Sequence, residues 1–185
     1  MPSLSTVSES AFSLSCWFDQ MELAESGEGW GCWCERHGVY VAICEELVAA
    51  ISAALPRPAV EMAAGDGRMA AALGIVATDP APRSGVLTLD ARQAIKTLAP
   101  ANVLTCFAPI DAGIERAILS ARCVERYLYI GPQPPAAEHW TAETLVSVER
   151  VLLTRLDYLT DFTRRTHRRR AHAVLLKRES HVVAA

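Results

Sequence analysis

Two spacings of hydrophobic residues divide the chain. Near-helical spacing comes first and predicts a helix at 39–54, which Pro56 and Pro58 end; its apolar positions are Val39, Ile43, Leu47, Ala50, Ile51 and Ala54. Short apolar runs of strand length follow, each ending in an acid, a proline or a glycine, at 58–62, 75–78, 85–89, 103–107 and 124–130. Helical segments separate most of these runs, at 68–73, 91–98 and 114–120. This alternation predicts an α/β fold with a parallel sheet and with ligand sites at the carboxyl ends of its strands.

The two ends of the chain follow other patterns. Residues 16–25 predict a short amphipathic helix, and a glycine-rich break follows at 26–31. Beyond Pro135 we expect a helix at 142–153 and then two strands, near 156–163 and 171–177. An arginine-rich turn joins these strands, so they are expected to form an antiparallel hairpin.

Length and composition favour one compact domain. The chain has 185 residues, of which 51% are hydrophobic and 21% charged, as in globular proteins. Within it we expect an N-terminal helical lid and substrate segment at 1–56 and a core at 57–185.

Charge narrows the range of partners. A net charge of −3 argues against a general nucleic-acid binder. One basic run lies within 164–178, which has no acid among its residues Arg164, Arg165, Arg168, Arg169, Arg170, Lys177 and Arg178. This run fits a solvated turn and strand edge; a site for an anionic substrate or partner is the alternative.

The cysteines and the hydropathy pattern bear on the compartment. Six cysteines in a chain without a basic, apolar leader favour reduced thiols and a cytoplasmic location. Cys32, Cys34 and His37 have C-x-C-x-x-H spacing without a second ligand pair, so no metal site is expected. No apolar run approaches the roughly 20 residues of a membrane helix, so no membrane partner is expected.

The turn after the first predicted strand carries the strongest chemical signal. Its glycines, Gly65 and Gly67, let the backbone approach a ligand closely and leave the next helix N-terminus free to face it. Residues 65–70 also fit the G-x-G-x-x-A form of a dinucleotide fingerprint. Glu61 before the turn instead suits a ligand with a cationic amine. Asp79 also follows sooner than the roughly 20 residues expected of a dinucleotide site.

Two further acids end the next two strands. Asp79, followed by Pro80, can accept hydrogen bonds from both hydroxyls of a ribose. Asp90 can accept an adenine amino group, while the backbone N–H of Ala91 serves a ring nitrogen. Each aspartate alone fits a turn or helix cap, but three acids at successive strand ends favour a ligand site.

These residues, in this order, resemble motifs I, II and III of class I S-adenosylmethionine (SAM)-dependent methyltransferases. The resemblance implies a Rossmann-like, mostly parallel seven-stranded sheet with helices on both faces and a last strand that inserts antiparallel. It implies SAM as cofactor, with its methionine part on the glycine turn, its ribose on Asp79 and its adenine on Asp90. The cofactor-contacting residues implied within the core are Glu61, Ala63, Gly65, Gly67, Asp79, Pro80, Asp90, Ala91 and Phe107.

The chain departs from the family pattern at two places. Ala63 stands where the first glycine usually occurs. Residues 105–110 read TCFAPI rather than the Asn/Asp-Pro-Pro-Tyr motif, which puts a DNA or RNA base substrate in doubt. A nucleic-acid partner is therefore not expected, and no acidic cluster for a catechol-type magnesium site follows the fourth strand.

Aromatic residues before the core predict a lid over the cofactor. Trp33 and Tyr40 are candidates to contact SAM, with Arg36 as an alternative partner for its carboxylate; the tryptophan could instead pack the lid onto the sheet. His37 and Asp111 are candidate general bases for an acceptor hydroxyl or amine, although a lone histidine is more often structural.

The expected activity is methyl transfer from SAM to an oxygen or nitrogen of a small molecule, with a homodimer as a possible assembly. Two alternatives stay open. One is a SAM-binding protein that catalyses a non-methylating reaction or acts as a regulator, and the other is a nicotinamide-dependent reductase.

Overall fold

The computed structural model describes residues 43–82, 85–109, 113–131, 148–152 and 172–178. Helices in these ranges are α1 Glu45–Ala54, α2 Arg68–Leu73, α3 Ala91–Leu98 and α4 Ile114–Ser120. The strands are β1 Val60–Met62, β2 Val76–Asp79, β3 Leu87–Thr88, β4 Asn102–Cys106, β5 Arg126–Gly131, β6 Val148–Leu152 and β7 His172–Arg178. Strands and helices alternate through the core, as the sequence predicts.

One mixed sheet organises the protein. The strand order is β3-β2-β1-β4-β5-β7-β6, and the first five strands along the chain run parallel to one another. The last strand, β7, pairs antiparallel with both β5 and β6. Within the described residues, six strands have three residues or more, while β3 adds two residues at one edge. The fold is therefore α/β, with a mostly parallel sheet and an antiparallel C-terminal pair.

Helices cover both faces of this sheet. Leu104 and Leu128 pack with Leu47 of α1 and Met69 of α2 in one apolar cluster, which defines the α1/α2 face. The positions just before them in β4 and β5 belong to the opposite α3/α4 face, where the cluster contains Val103, Tyr127, Ala94 and Ile118. Successive side chains of a strand point to opposite faces, so strands buried on both faces read as continuous apolar runs rather than as an alternation.

Local signals place three of the helices at their predicted bounds. Gly74 ends α2 with a φ of 63°, and its N–H donates to the carbonyl oxygens of Ala70 and Ala71. Asp90 begins α3 as its N-cap, and left-handed Gly113 precedes α4. Of the helix predicted at 39–54, the described part begins at Glu45, because Cys44 is extended with φ −112° and ψ 161°.

The predicted helix at 142–153 is wrong over residues 148–152. This segment is strand β6, whose backbone pairs with β7 from Val148 opposite Arg178 to Leu152 opposite Val174. Its valines suit a strand as well as a helix, and pairing with a distant strand overrides the local spacing. The antiparallel C-terminal pair is thus present but uses an earlier segment than predicted. The strand predicted at 156–163, the arginine-rich turn and the helix at 16–25 lie outside the described residues.

Across the described ranges, no helix combines the length and the apolar character that crossing a membrane requires. Helix α1 belongs to the segment predicted as a lid and contributes Leu47 and Ile51 to the core on the α1/α2 face.

Candidate functional site

The strand order reverses between β1 and β4. From β1 the chain proceeds outward through β2 to β3, and it then returns to the other side of β1 to form β4 and β5. In an open parallel sheet, such a reversal leaves a crevice beyond the carboxyl ends of the two strands, and ligands bind there. This crevice is the candidate site. The crevice is bordered by residues from both strands: Glu61 lies in β1 and the turn at 63–67 follows it, while Cys106 and Phe107 come from the end of β4.

Glu61 is the buried acid of this site. It occupies the middle of β1, in register with Ala77 of β2 and Leu104 of β4, and is 2% exposed. Because parallel neighbours in register share a face, its side chain lies on the α1/α2 face. There the N–H of Ala70, in the first turn of α2, donates to the carboxylate, as an N–H without an intrahelical partner can do. The Oε2 atom is buried and has no hydrogen-bond partner among the described residues.

Burial changes the protonation of Glu61. It raises the pKa of the carboxyl to about 8; the bond from Ala70 opposes this rise, and the negative charge of Asp66 adds to it. Near neutral pH the group is therefore mostly protonated when no cation adjoins it. A ligand that brought a positive charge or a hydrogen-bond donor to Oε2 would favour the charged form and satisfy the atom.

The turn after β1 has left-handed residues at three positions. Their φ angles are 55° at Ala63, 57° at Gly65 and 73° at Gly67. The N–H of Ala64 donates to the Thr78 carbonyl oxygen at 3.0 Å. At Ala63 a side chain tolerates a conformation that suits glycine, and such backbone strain is concentrated at functional sites.

Gly65 and Gly67 have different surroundings. A Cβ placed on Gly65 would meet no atom of the described residues within 4 Å, whereas one on Gly67 would lie 2.6 Å from Cγ2 of Val86. The backbone at Gly65 is exposed, and that at Gly67 is buried. The first glycine thus presents its backbone to open space, and the second allows the turn to pack on the core.

Asp79 ends β2 beside this turn. Its Oδ2 atom accepts the N–H of Gly65 at 2.9 Å, and its Oδ1 atom accepts the N–H of Ala81 at 2.8 Å. The side chain is half-buried, and Pro80 next to it is exposed. The predicted ribose acid and the glycine turn are therefore in direct contact.

Asp90 makes bonds within its own helix. Its Oδ1 atom accepts the N–H of Gln93 at 2.8 Å, and Gln93 Oε1 accepts the N–H of Asp90 at 2.9 Å. This reciprocal pair is a capping box at the start of α3, of which Ala91 is the first residue. Asp90 is exposed, and its strand β3 pairs with β2 rather than with β1.

The end of β4 contributes Cys106 and Phe107. The Phe107 backbone is left-handed, with a φ of 53°, and its N–H donates to the Ile130 carbonyl oxygen at 2.7 Å. Cys106 packs on the α1/α2 cluster, and burial together with the charge of Glu61 raises the pKa of its thiol. Cys106 is not among the predicted site residues, and its signal in the structure is a position two residues beyond Leu104, the register partner of Glu61.

Four predicted site residues lie outside the described ranges: Trp33, Tyr40, His37 and Asp111. Arg36 lies outside them as well. Within the described ranges, no group of three or more His, Cys, Asp or Glu side chains is placed to hold a metal ion.

A small cavity lies at the other end of the sheet. Its lining includes Tyr127 of β5 and Arg178 of β7. The Arg178 guanidinium donates to the carbonyl oxygens of Leu119 and Ala121, at the end of α4, and of Val124. This cavity is at the amino end of β5, away from the crevice, and its arginine is engaged in capping a helix.

No protein-family model matches this chain, and its sequence matches none of the curated proteins with which it was compared. The function is therefore inferred from the residues of the crevice.

Proposed function

We propose that this protein binds SAM in the crevice between β1 and β4 and transfers its methyl group to an oxygen or nitrogen of a small molecule. The observation that carries the proposal is the buried Oε2 atom of Glu61, for which the described residues supply no hydrogen-bond donor. A buried polar atom without a partner costs about 1–3 kcal/mol, and the ammonium of a methionine group is a donor that would satisfy it.

The residues around Glu61 fit the rest of this ligand. Open space beside Gly65 leaves room for the amino-acid end to approach the backbone. Each oxygen of Asp79 accepts one backbone N–H, and a second lone pair on each is available for a ribose hydroxyl. The proposal also includes a Rossmann-like sheet of seven strands, with β3 at one edge. The insertion of β7 between β5 and β6 supports it.

The bound sulfonium supplies an activated methyl group, and the chain holds the reactants in line and keeps water away. Glu61 binds the cationic amine and thereby fixes the amino-acid end. Gly65 lets the backbone support that end at close range. Cys106 and Phe107 border the crevice where an acceptor would approach. His37 and Asp111 stay candidates for removing an acceptor proton.

A dinucleotide fits the same turn less well. Helix α2 has six residues, and Asp79 follows Gly65 by 14 positions, which is closer than the roughly 20 residues between a dinucleotide fingerprint and its ribose acid. A dinucleotide also brings no cationic amine to Oε2 of Glu61.

Calorimetry with S-adenosylhomocysteine tests the binding step. Wild-type protein should bind this product, and Glu61→Gln should lower the affinity about 100-fold, because removing one partner of a buried charge pair costs about 2–5 kcal/mol. Glu125→Gln is the matched control, since the Glu125 side chain is exposed and its carboxylate lies 4.0 Å from the Arg126 guanidinium, away from the crevice. Its affinity should equal that of wild type. Binding of NAD(P) without binding of S-adenosylhomocysteine would overturn the proposal.

Turnover separates methyl transfer from mere binding. A panel of small alcohols, phenols, amines and carboxylates is incubated with SAM, and release of S-adenosylhomocysteine is measured. Release that requires both protein and acceptor supports the proposal. Tight binding without turnover of any acceptor favours the alternative of a non-methylating SAM-binding protein.

A further inference from the structure

The carboxylate of Asp79 accepts two hydrogen bonds from backbone N–H groups, one from a residue near it in the sequence and one from a distant residue. The bond from the Ala81 N–H spans two positions, as in any turn started by an aspartate. The bond from the Gly65 N–H spans 14 positions and joins the end of β2 to the turn after β1. A turn-forming role for Asp79 requires only the first bond.

The longer bond continues the pairing of β1 with β2 into the turn. The last register pair is Met62 with Thr78, and the Ala64 N–H then donates to the Thr78 carbonyl oxygen at 3.0 Å. At Gly65 the backbone has turned away into the left-handed region, and the carboxylate of Asp79 takes the place of a strand carbonyl. A hydrogen bond to a charged group is stronger than one to a neutral group.

The backbone at Gly65 receives little support from packing. It is exposed, and a Cβ at this position would meet no atom of the described residues within 4 Å. Gly67, by contrast, packs against Val86. The turn from Ala64 to Gly67 is closed by the Gly67 N–H, which donates to the Ala64 carbonyl oxygen at 2.9 Å, and the carboxylate of Asp79 adds the bond that fixes Gly65 itself.

We propose that Asp79 is a positioning residue for the glycine turn: its carboxylate fixes Gly65 in the conformation that receives the amino-acid end of the ligand. The identity of that ligand rests on the proposed function. An acid expected to touch only the ribose would then also control binding at the other end of the molecule. The free protein would already hold the turn ready, which lowers the ordering cost of binding.

Two fragments of the ligand separate positioning from ribose contact. S-methyl-L-methionine has the amino acid and the sulfonium without a ribose, and 5′-methylthioadenosine has the ribose and adenine without the amino acid. Their affinities are measured by NMR titration of wild type, Asp79→Asn and Glu125→Gln. Asp79→Asn should weaken S-methyl-L-methionine about tenfold, because it removes a charge-assisted bond from the turn, and should weaken 5′-methylthioadenosine as well, because the ribose loses a charged acceptor. Glu125→Gln, at an exposed side chain, should leave the binding of both fragments unchanged. Loss confined to 5′-methylthioadenosine in Asp79→Asn would overturn positioning and leave a ribose contact.

Amide hydrogen exchange tests the same inference without any ligand. In Asp79→Asn one acceptor oxygen is left for the two N–H groups that the carboxylate serves, so the Gly65 N–H should exchange faster, by up to about tenfold where its hydrogen bond is lost. The Gly74 N–H, bonded to Ala70 and Ala71 at the end of α2, is the internal control and should not change. Unchanged exchange at Gly65 would overturn the proposal.

Fragment binding and hydrogen exchange can contradict the proposed function and the positioning role separately. Faster exchange at Gly65, in a protein that binds neither SAM nor the fragments, would reject the proposed function and retain the positioning role. Asp79→Ser provides a second variant in case Asp79→Asn does not fold. It keeps an oxygen but shortens the side chain, so Gly65 should again exchange faster.

Discussion

The ends of β1 and β3 look alike in the sequence and differ in the structure. Each has an acid between an apolar run and a helix: Glu61 in β1 and Asp90 after β3. Asp90 is exposed and completes a capping box with Gln93. Glu61 is 2% exposed, and one of its oxygens has no partner in the described part of the chain. A strand-end acid thus marks a candidate binding site when its hydrogen-bonding capacity is unmet, and its position alone does not.

Asp90 and Glu61 also contribute to the stability of the folded protein with opposite signs. A helix cap such as Asp90 stabilises a protein by about 1 kcal/mol. A buried carboxyl with an unsatisfied oxygen destabilises it by a similar or larger amount, about 1–3 kcal/mol. Proteins retain destabilising groups where function requires them, so Glu61 is the residue of this pair that folding alone does not explain.

The largest expected effect concerns pH. The pKa of Glu61 rises from 4.5 to about 8 in the folded protein. Between these values the folded state holds a proton that the unfolded state has lost, so Glu61 makes stability fall as pH rises. The slope is about 1.4 kcal/mol per pH unit. Below pH 4.5 both states are protonated and this loss is absent.

Denaturant unfolding at several pH values, with wild type compared with Glu61→Gln, isolates this contribution because all other titrating groups are shared. The difference in unfolding free energy should shift in favour of the glutamine variant from pH 4.5 to 8 and level off above. If the difference in unfolding free energy between the two proteins stayed constant across this range, Glu61 would not have a raised pKa, and the contrast between the ends of β1 and β3 would be lost.

A second test sharpens the contrast within the turn after β1. Gly67→Ala should cost about 2–3 kcal/mol of unfolding free energy, because a left-handed alanine is strained and its Cβ would lie 2.6 Å from Val86 Cγ2. Gly65→Ala should cost about 1 kcal/mol, from backbone strain alone.

Ligand binding should not follow these stabilities. The alanine methyl at position 65 would occupy the open space assigned to the ligand, so Gly65→Ala should lose affinity for S-adenosylhomocysteine while remaining folded. Thermal unfolding and calorimetry of the two variants give both quantities. Equal stability losses would show that the open and packed glycines do not differ.

The smallest effect concerns the cap of α3. Asp90→Ala removes the side-chain acceptor for the Gln93 N–H and should cost about 1 kcal/mol. Asp90→Asn keeps an acceptor and a favoured N-cap, so it should cost only a few tenths of a kcal/mol. Denaturant unfolding measures both. If Asp90→Asn lowered the affinity for S-adenosylhomocysteine more than Glu61→Gln does, the ranking of the two strand ends would be reversed.

Local chemistry made much of the fold predictable. The bounds of α2, α3 and α4 follow from residues at their ends, such as Gly74 and Asp90, which act through their own backbone neighbours. Strand β6 was mispredicted because its pairing with β7 depends on residues distant in the chain. The local pattern of valines and charged residues in β6 carries no information about its pairing with β7.

The candidate site was predictable in its order but not in its geometry. The succession of Glu61 in β1, Gly65 in the turn after it and Asp79 at the end of β2 follows from the sequence. The unsatisfied Oε2 atom of Glu61, within the described residues, and the proximity of Cys106 are known only once the strands are placed, with β4 beside β1. Likewise, Val86 distinguishes Gly67 from Gly65 only after the chain has folded.

The position of β7 has a consequence for the order of assembly during synthesis. Although β6 leaves the ribosome first, it joins the described sheet only through β7. Until residues 172–178 emerge, β6 has no place in this sheet and the outer edge of β5 presents unpaired backbone groups. Exposed strand edges promote association between chains. We therefore expect association between nascent chains to be favoured until β7 pairs with β5 and β6.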